Sequence, residues 1–355
     1  MHLRKWPNDM KALITGGAGF FGTVLKKYLS QKAIDSVIYD LVPDTDRVPQ
    51  TVAIQGDVRN ETQLEECFRK YSPFDVVFHL AAQLAHVVKD RDFLWSSNVD
   101  GTRRVVEMAI KYKVPHIIFT SSNCLWGHPF GRKVLETDEP HPIEIYGRSK
   151  WEGEKILLEY RDHINVTIIR CPTITDAGRL GLLTILFEFI EENRKVYVVG
   201  GGNNVYQFIY GEDIAQGCLQ AYEKSSSTEI FNIGSDNVKS FKEVYQCVIE
   251  KAGSTSRIVP LPKAPTLFAM KLCYNLGLSP LGPYQYKMIA EDFVFDTEKI
   301  KKTLGWKPTL TNEEMLLKAF MYYKENKELI RNAKGVAAHR QTAKMGIIKL
   351  LKYIS

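Results

Sequence analysis

Leu13-Ile14-Thr15-Gly16-Gly17-Ala18-Gly19-Phe20-Phe21-Gly22 reads as a short apolar strand entering a glycine-spaced turn, and Thr23 to Leu29 continues it with helical spacing. Glycines at 16, 19 and 22 allow a tight turn, close approach of the backbone to a pyrophosphate, and packing of the helix on the strand. Open amides at the helix start attract phosphate charge. The stretch predicts a dinucleotide site built from Gly16, Gly19, Phe20, Phe21 and Gly22. Its spacing is Gly-x-x-Gly-x-x-Gly rather than Gly-x-Gly-x-x-Gly, so a plain glycine turn is the alternative reading.

Outward from this stretch, apolar runs at Ala12–Thr15, Ser36–Asp40, Thr51–Gln55, Phe74–His79, His116–Thr120 and Asn165–Arg170 read as strands. Helical patterns at Thr23–Ser30, Glu61–Lys70, Ser97–Lys111 and Tyr146–Tyr160 separate them. Strands alternating with helices predict an α/β fold, a Rossmann-type doubly wound parallel sheet. The expected layout is a dinucleotide-binding domain over 1–175, to which segments near 205–235 return, and a smaller interleaved substrate domain over most of 176–330. Residues 331–355 follow as a basic amphipathic tail.

At 355 residues and 45% hydrophobic composition the chain can bury a substantial core. Its six cysteines are scattered, with no C-x-x-C pair and no close Cys/His cluster. That pattern argues against a metal site or a disulfide framework and suits a reducing cytoplasm. The segment before Met10 is short and polar, and no apolar run approaches the ~20 residues of a membrane span. Residues 331–355 hold Arg331, Lys334, Arg340, Lys344, Lys349 and Lys352 and no acid, which accounts for the net charge of +6. The body is therefore neutral, and nucleic-acid binding has little support. Within the tail, Ile347, Ile348, Leu350, Leu351 and Ile354 share one helical side opposite Lys349 and Lys352. Residues 345–355 are thus a candidate for peripheral contact with an anionic membrane, or for packing between subunits.

Asp40 ends the second strand, where an acid accepts hydrogen bonds from both ribose hydroxyls and repels a 2′-phosphate, favouring NAD over NADP. Arg47 further along can soften that preference, and a loop-capping acid is the alternative. Asp57 and Val58 follow the third strand and are candidates to meet the adenine, Asp57 otherwise being a turn residue. Tyr146 and Lys150 stand at i and i+4 at a helix start. An ammonium beside a phenol favours phenolate and brings the tyrosine from about 10 toward neutrality, each unit being worth about 1.4 kcal/mol. Such a tyrosine exchanges a proton with a carbinol oxygen. Phe119-Thr120-Ser121-Ser122-Asn123-Cys124 delivers hydroxyls at the carboxyl end of a strand, where one of them can hold the substrate oxygen.

Taken together, these segments resemble the extended short-chain dehydrogenase/reductases, the NAD-dependent epimerase/dehydratase group. The resemblance covers roughly Lys11 to Lys324. It rests on Thr15 to Gly22, Gly56-Asp57-Val58, His79-Leu80-Ala81-Ala82, Asn98-Val99-Asp100-Gly101-Thr102, Ser121-Ser122, Tyr146 to Lys150 and Leu304-Gly305-Trp306-Lys307-Pro308. It implies Tyr146 as acid/base, Lys150 as tyrosine modulator and ribose ligand, Ser122 as the hydroxyl orienting the substrate, and Ala81 and Ala82 lining the cofactor. Asn98 would lie beneath the site. A homodimer through the helices at 97–111 and 146–160 is likewise implied.

Departures from the family pattern narrow the chemistry. The Asp-Glu pair of the dehydratases is here Asn123-Cys124, which argues against water elimination. The diphosphate arginine of nucleotide-sugar epimerases is replaced in Tyr206-Gln207-Phe208, and a second is absent around Tyr284-Gln285-Tyr286-Lys287. Arg179 or Lys287 are candidates to compensate. Apolar segments at 259–262 and 267–280 are similar to the 3β-hydroxysteroid-dehydrogenase-like branch, or are simply core. The leading expectation is an NAD-dependent oxidoreductase moving hydride to or from a secondary alcohol or ketone carbon of an apolar, lipid-linked or sugar small molecule. Ser122, Asn123, Arg179 and Tyr206 are the substrate-side candidates. The alternatives are a nucleotide-sugar epimerase resembling UDP-glucose 4-epimerase, and a non-catalytic NAD(H)-sensing protein.

Overall fold

A computed structural model describes residues 10–84, 90–181, 183–279 and 281–332. The first half winds through β1 (Lys11–Thr15), α1 (Phe20–Gln31), β2 (Asp35–Asp40), β3 (Thr51–Gln55), α2 (Glu61–Tyr71) and β4 (Val76–His79). It continues through α3 (Arg91–Trp95), a π-helical turn (Ser96–Asp100), α4 (Gly101–Lys111), β5 (His116–Ser122), α5 (Ile145–Glu159) and β6 (Asn165–Cys171). Then come β7 (Thr173–Thr175), α6 (Leu183–Glu191), β8 (Val196–Val199), β9 (Phe208–Tyr210), α7 (Gly211–Lys224), β10 (Glu229–Asn232) and α8 (Phe241–Lys251). The last described elements are β11 (Ile258–Leu261), α9 (Lys263–Asn275), α10 (Pro283–Met288), α11 (Glu298–Leu304), α12 (Asn312–Glu325) and α13 (Lys327–Asn332).

A seven-stranded sheet in the order β10-β6-β5-β4-β1-β2-β3 forms the centre, and every pairing in it is parallel. Strand order reverses beside β1, between β2 and β4, and the carboxyl ends there open the crevice in which such sheets take ligands. Both faces are covered, so the central strands are apolar throughout rather than alternating. On one face Ile14, Ile38, Phe78, Ile118 and Ile169 meet α1 and α7; on the other Leu13, Val37, Val77, Ile117 and Ile168 meet α2, α4 and α5. Two parallel strand pairs, β7 with β9 and β8 with β11, lie outside this sheet.

Most boundaries shift by one to three residues from the sequence reading, α1 for instance beginning at Phe20 and β5 running to Ser122, and two of the shifts have a visible local cause. The strand expected from Phe74 begins at Val76, because Phe74 is spent on an edge-on contact with Phe68 of α2, with ring centroids 5.6 Å apart. The helix expected over Ser97–Lys111 opens as the π-helical turn and becomes α-helical only at Gly101. The wider turn aims Asn98 inward, as π-turns near ligand sites commonly do.

Late segments complete the first core. Trp306, fully buried, packs in the same cluster as α1 and α7 and donates its indole N–H to the Asp213 carbonyl at 2.8 Å. Trp306→Ala removes that packing and the bond, and we expect it to lower unfolding free energy by about 3–5 kcal/mol in urea titrations.

Candidate functional site

At the cofactor end, Gly16 has φ +73°, and a Cβ placed on it would lie 2.6 Å from the Ala81 nitrogen. One placed on Gly22 would lie 2.5 Å from the Gly16 carbonyl oxygen. The turn is therefore pressed against its own helix and the exit of β4, with Ala81 and Ala82 half-buried beside it. No side chain caps the N-terminus of α1 and no acid occupies its first turn, so its positive end stays available to phosphate. Asp40 reaches back to this turn: its carboxylate accepts the Ala18 N–H at 2.9 Å and the Val42 N–H at 3.0 Å. Burial raises its pKa, partly offset by those bonds. A glycine cradle, an uncapped helix and an acid at the β2 end fit a dinucleotide.

Other cofactor-side candidates lie differently from their sequence reading. Phe21 packs in the core, so only its backbone is on offer, whereas the Phe20 ring faces the Arg179 guanidinium at 5.6 Å. The Asp57 carboxylate is held by Arg59 at 2.6 Å; burial raises its pKa, but the Arg59 bonds bring it below the ordinary value. Val58 is buried against Gly101. Arg47 is exposed.

Ser122, Tyr146 and Lys150 come together where β5 leaves the sheet. A Cβ on Gly147 would fall 2.1 Å from the Cys124 carbonyl oxygen, so the glycine lets the start of α5 lie against the loop that carries Ser122. Glu144 caps α5 through the Gly147 N–H at 3.2 Å. Ser122 Oγ accepts the Cys124 N–H at 3.1 Å. Lys150 donates to the Thr120 carbonyl at 2.8 Å and lies 4.4 Å above the Phe119 ring. Burial pushes its pKa down to about 8. Tyr146 moves the other way from the sequence expectation: burial, then the Cys124 and Cys171 thiols and Glu144, raise it, and hydrogen bonding with Ser122 offsets only part. The protein's own groups therefore favour a protonated phenol here, desolvation being the largest influence.

Several supporting groups find their partners in distant segments of the chain. Asn98 accepts the Gln83 N–H at 2.6 Å and donates to the Gln83 carbonyl at 3.0 Å and to Ser149 Oγ at 2.9 Å, joining the β4 exit to α5. His79 is buried between Thr15 and Thr102, and burial, with Lys150 nearby, lowers its pKa to about 3, so it is neutral. Arg170 of β6 grips Glu154 of α5 with Nη2 to Oε2 at 2.7 Å and Nε to Oε1 at 3.0 Å, while Nη1 donates to the Glu136 carbonyl at 2.8 Å. An arginine at the end of an apolar strand was the only trace of this pair.

Ser122, Asn123, Tyr146 and Arg179 line one end of a cavity of about 870 Å³. Away from them its walls are mainly apolar, with Leu183, Leu186 and Phe189 of α6, Phe241 and Tyr245 of α8, and Ala269 and Met270 of α9. Tyr206 stands behind this wall: its hydroxyl takes the Asn123 amide at 2.5 Å and shares a 2.6 Å bond with Tyr284, which does line the cavity. Burial lowers the Arg179 pKa to about 10, still a cation at neutral pH. The Lys287 side chain and the tail beyond residue 332, including the amphipathic stretch at 345–355, lie outside the described residues. Among the described residues no three His, Cys, Asp or Glu side chains could together hold a metal ion.

The family model for the NAD dependent epimerase/dehydratase family matches residues 12–234. The protein y4nG of Sinorhizobium fredii is 35% identical over 345 residues, 96% of this chain and 85% of that one. The N-acetyl-alpha-D-glucosaminyl-diphospho-ditrans,octacis-undecaprenol 4-epimerase of Escherichia coli O157:H7 is 28% identical over 305 residues, 83% of this chain and 85% of that one. Among solved structures, the UDP-glucose 4-epimerase of Thermotoga maritima with UDP-glucose superposes with a TM-score of 0.74 at 25% identity, covering 90% of this chain and all of that one.

Removing one member of the buried ion pair leaves the other's charge stranded. Arg170→Met is expected to cost about 3–5 kcal/mol in urea unfolding, and the double variant Arg170→Met/Glu154→Leu to recover most of it.

Proposed function

This chain belongs to the NAD-dependent epimerase/dehydratase family, the extended short-chain dehydrogenase/reductases, and from that premise we propose that it moves hydride between NAD and a secondary carbinol or ketone carbon of a substrate with an apolar body. The observation that carries this reading is the opening of Ser122 and Tyr146, with Lys150 buried one turn along α5, onto a large cavity whose far walls are apolar. NAD, when bound, supplies the hydride carrier. Gly16, Gly19, Gly22 and the backbone of Phe20 and Phe21 are suited to its pyrophosphate, Asp40 to a ribose, and Ala81, Ala82 and Val58 to its apolar faces. Asp57, tied to Arg59, offers the adenine its backbone.

In this reading Ser122 holds the substrate oxygen and Tyr146 exchanges its proton. Lys150 keeps a positive charge beneath the tyrosine and offers its remaining protons to the ribose. Asn123 and Tyr206 shape the wall beside the reacting carbon, and Arg179 supplies a cation to an anionic group near it. A single arginine is a weak clamp for a diphosphate, charge-assisted bonds being worth about 1.5–3 kcal/mol each. That favours a substrate whose affinity comes from apolar burial, a lipid-linked sugar or a hydrophobic alcohol.

A second reading, epimerisation with the hydride returned to the other face, is favoured by the 4-epimerase relatives. Incubation with NAD and a panel of UDP-sugars, polyprenyl-diphosphate sugars and hydrophobic secondary alcohols separates the two. Accumulating reduced nicotinamide marks a dehydrogenase; sugar inversion without it marks an epimerase. No turnover on any member, with unchanged NAD binding, would overturn both and leave the sensor reading. A reducing cytoplasmic setting, supported by six unpaired cysteines, and a homodimer through the outer faces of α4 and α5 complete the proposal, the dimer being testable by sedimentation.

Tyr146→Phe is expected to cut kcat about 10²–10⁴-fold while NAD affinity stays unchanged. Because the Tyr146 pKa is raised, the phenol remains protonated at neutral pH. Ketone reduction, which takes its proton, should run flat between about pH 6 and 8, whereas carbinol oxidation, which needs phenolate, should rise close to tenfold per pH unit over that window. Initial rates in both directions check the sign.

A further inference from the structure

Large exposed apolar side chains are scattered over most of the described surface but concentrated in one place. Phe268 (72% exposed), Leu272, Tyr274, Leu276 (62% exposed) and Leu278 all fall within α9 and the turn that follows it. No residue of α9 is buried. Pro265, Thr266, Ala269, Met270 and Cys273 line the apolar cavity, while Phe268 and Leu272, one turn apart and exposed, run along the edge of that stripe. Exposed Lys271 lies beside them, one turn from Phe268. One helix thus contributes to the cavity wall and carries an exposed apolar ridge beside it, a patch of the kind that marks an interaction surface.

Charge indicates the occupant. From Lys251 to Ala290 the sequence holds Lys251, Arg257, Lys263, Lys271 and Lys287 and no acid, with Glu250 and Glu291 at its two ends and Lys263 paired with Glu291 at 3.1 Å. An apolar ridge with basic flanks matches an anionic lipid surface, where side chains enter the acyl boundary and lysines meet phosphates. A second copy seated on the same face would bring like charges together across a two-fold interface. Among the described residues no helix is long and apolar enough to cross a membrane, so the contact is peripheral.

We propose that the outer face of α9 and the turn through Leu278 dock on an anionic phospholipid bilayer, setting the wall of the apolar cavity against the membrane. The benefit of this placement rests on reading the cavity as the site of an apolar substrate body, since a lipid-linked molecule then passes from bilayer to cavity without crossing water. Docking itself is measurable without substrate.

The test is flotation of the full chain with phosphatidylcholine vesicles, with and without phosphatidylglycerol, in the absence of NAD and substrate. Wild type should float with the anionic vesicles. Phe268→Glu/Leu272→Glu, which leaves the basic tail intact, should lose about tenfold or more in partitioning. Val52→Glu, on the far edge of the sheet, should float as wild type does. An NAD-induced rise in melting temperature equal to that of wild type shows that the double variant is folded. The proposal is overturned if the double variant floats like wild type, if wild type ignores anionic vesicles, or if the double substitution abolishes a solution dimer and leaves flotation untouched. Should the substrate panel contain no apolar substrate while flotation still depends on Phe268 and Leu272, the cavity reading falls and the docking surface stands.

Discussion

The grip of Arg170 on Glu154 is the constraint from which the arrangement of the site follows. Arg170 lies one residue from the end of β6, Glu154 sits one turn beyond Lys150 in α5, and both are almost wholly buried. A planar guanidinium satisfied by a carboxylate, by the Glu136 carbonyl and by the face of Trp126 at 5.2 Å has little freedom left. α5 is thereby fixed in height against the sheet, and Tyr146 and Lys150 with it. The same cluster reaches further, because the Glu136 carboxylate accepts the Asn232 N–H at 2.9 Å and the Val134 carbonyl accepts the Asn232 amide at 3.0 Å. One buried charge pair therefore ties together α5, β6, β10 and the segment between β5 and α5.

Burial sets the electrostatics of the site as well. Lys150 is drawn toward neutrality and Tyr146 toward protonation by the same loss of water, and the Cys124 and Cys171 thiols, pushed up to about 12, are uncharged there too. A tyrosine in such surroundings yields its proton to a developing alkoxide more readily than it takes one up. The charge that alters this balance has to come from what enters the crevice. Arg179, beside the Phe20 ring and lining the cavity, is a cation near the tyrosine that, unlike Lys150, donates to no backbone carbonyl among the described residues.

The first half of the chain was legible because its information is local. Strand-to-helix alternation, the glycine spacing at 16, 19 and 22, and the i, i+4 relation of Tyr146 and Lys150 each lie within a few residues, and the parallel sheet follows from them. What stayed hidden depends on residues brought together by folding. Nothing near Asn98 announces that it meets Gln83 and Ser149, and nothing near Arg170 announces Glu154. The sign of the Tyr146 shift was misread for a related reason: spacing gives the distance to a lysine along a helix, whereas the cost of desolvation depends on the whole enclosure. Asp57 and Tyr206 show a milder form of the same problem. Sequence position named both as candidates, but Arg59 holds the Asp57 carboxylate and Asn123 the Tyr206 hydroxyl, partners that folding brings to them.

The place of β10 in the sheet has a bearing on how the molecule is made. That strand pairs with β6, yet about sixty residues separate the two, and α6, β8 and the start of β9 among them contribute to the walls of the cavity. A growing polypeptide leaving the ribosome can assemble six strands early, but the β6 edge stays open until Asn232 has emerged. Trp306 and α11 come later still to seal one face. Synthesis from N- to C-terminus thus delivers part of the cavity wall before the central sheet is closed and the rest of it afterwards, so neither can be finished, or exchanged as a cassette, without the other.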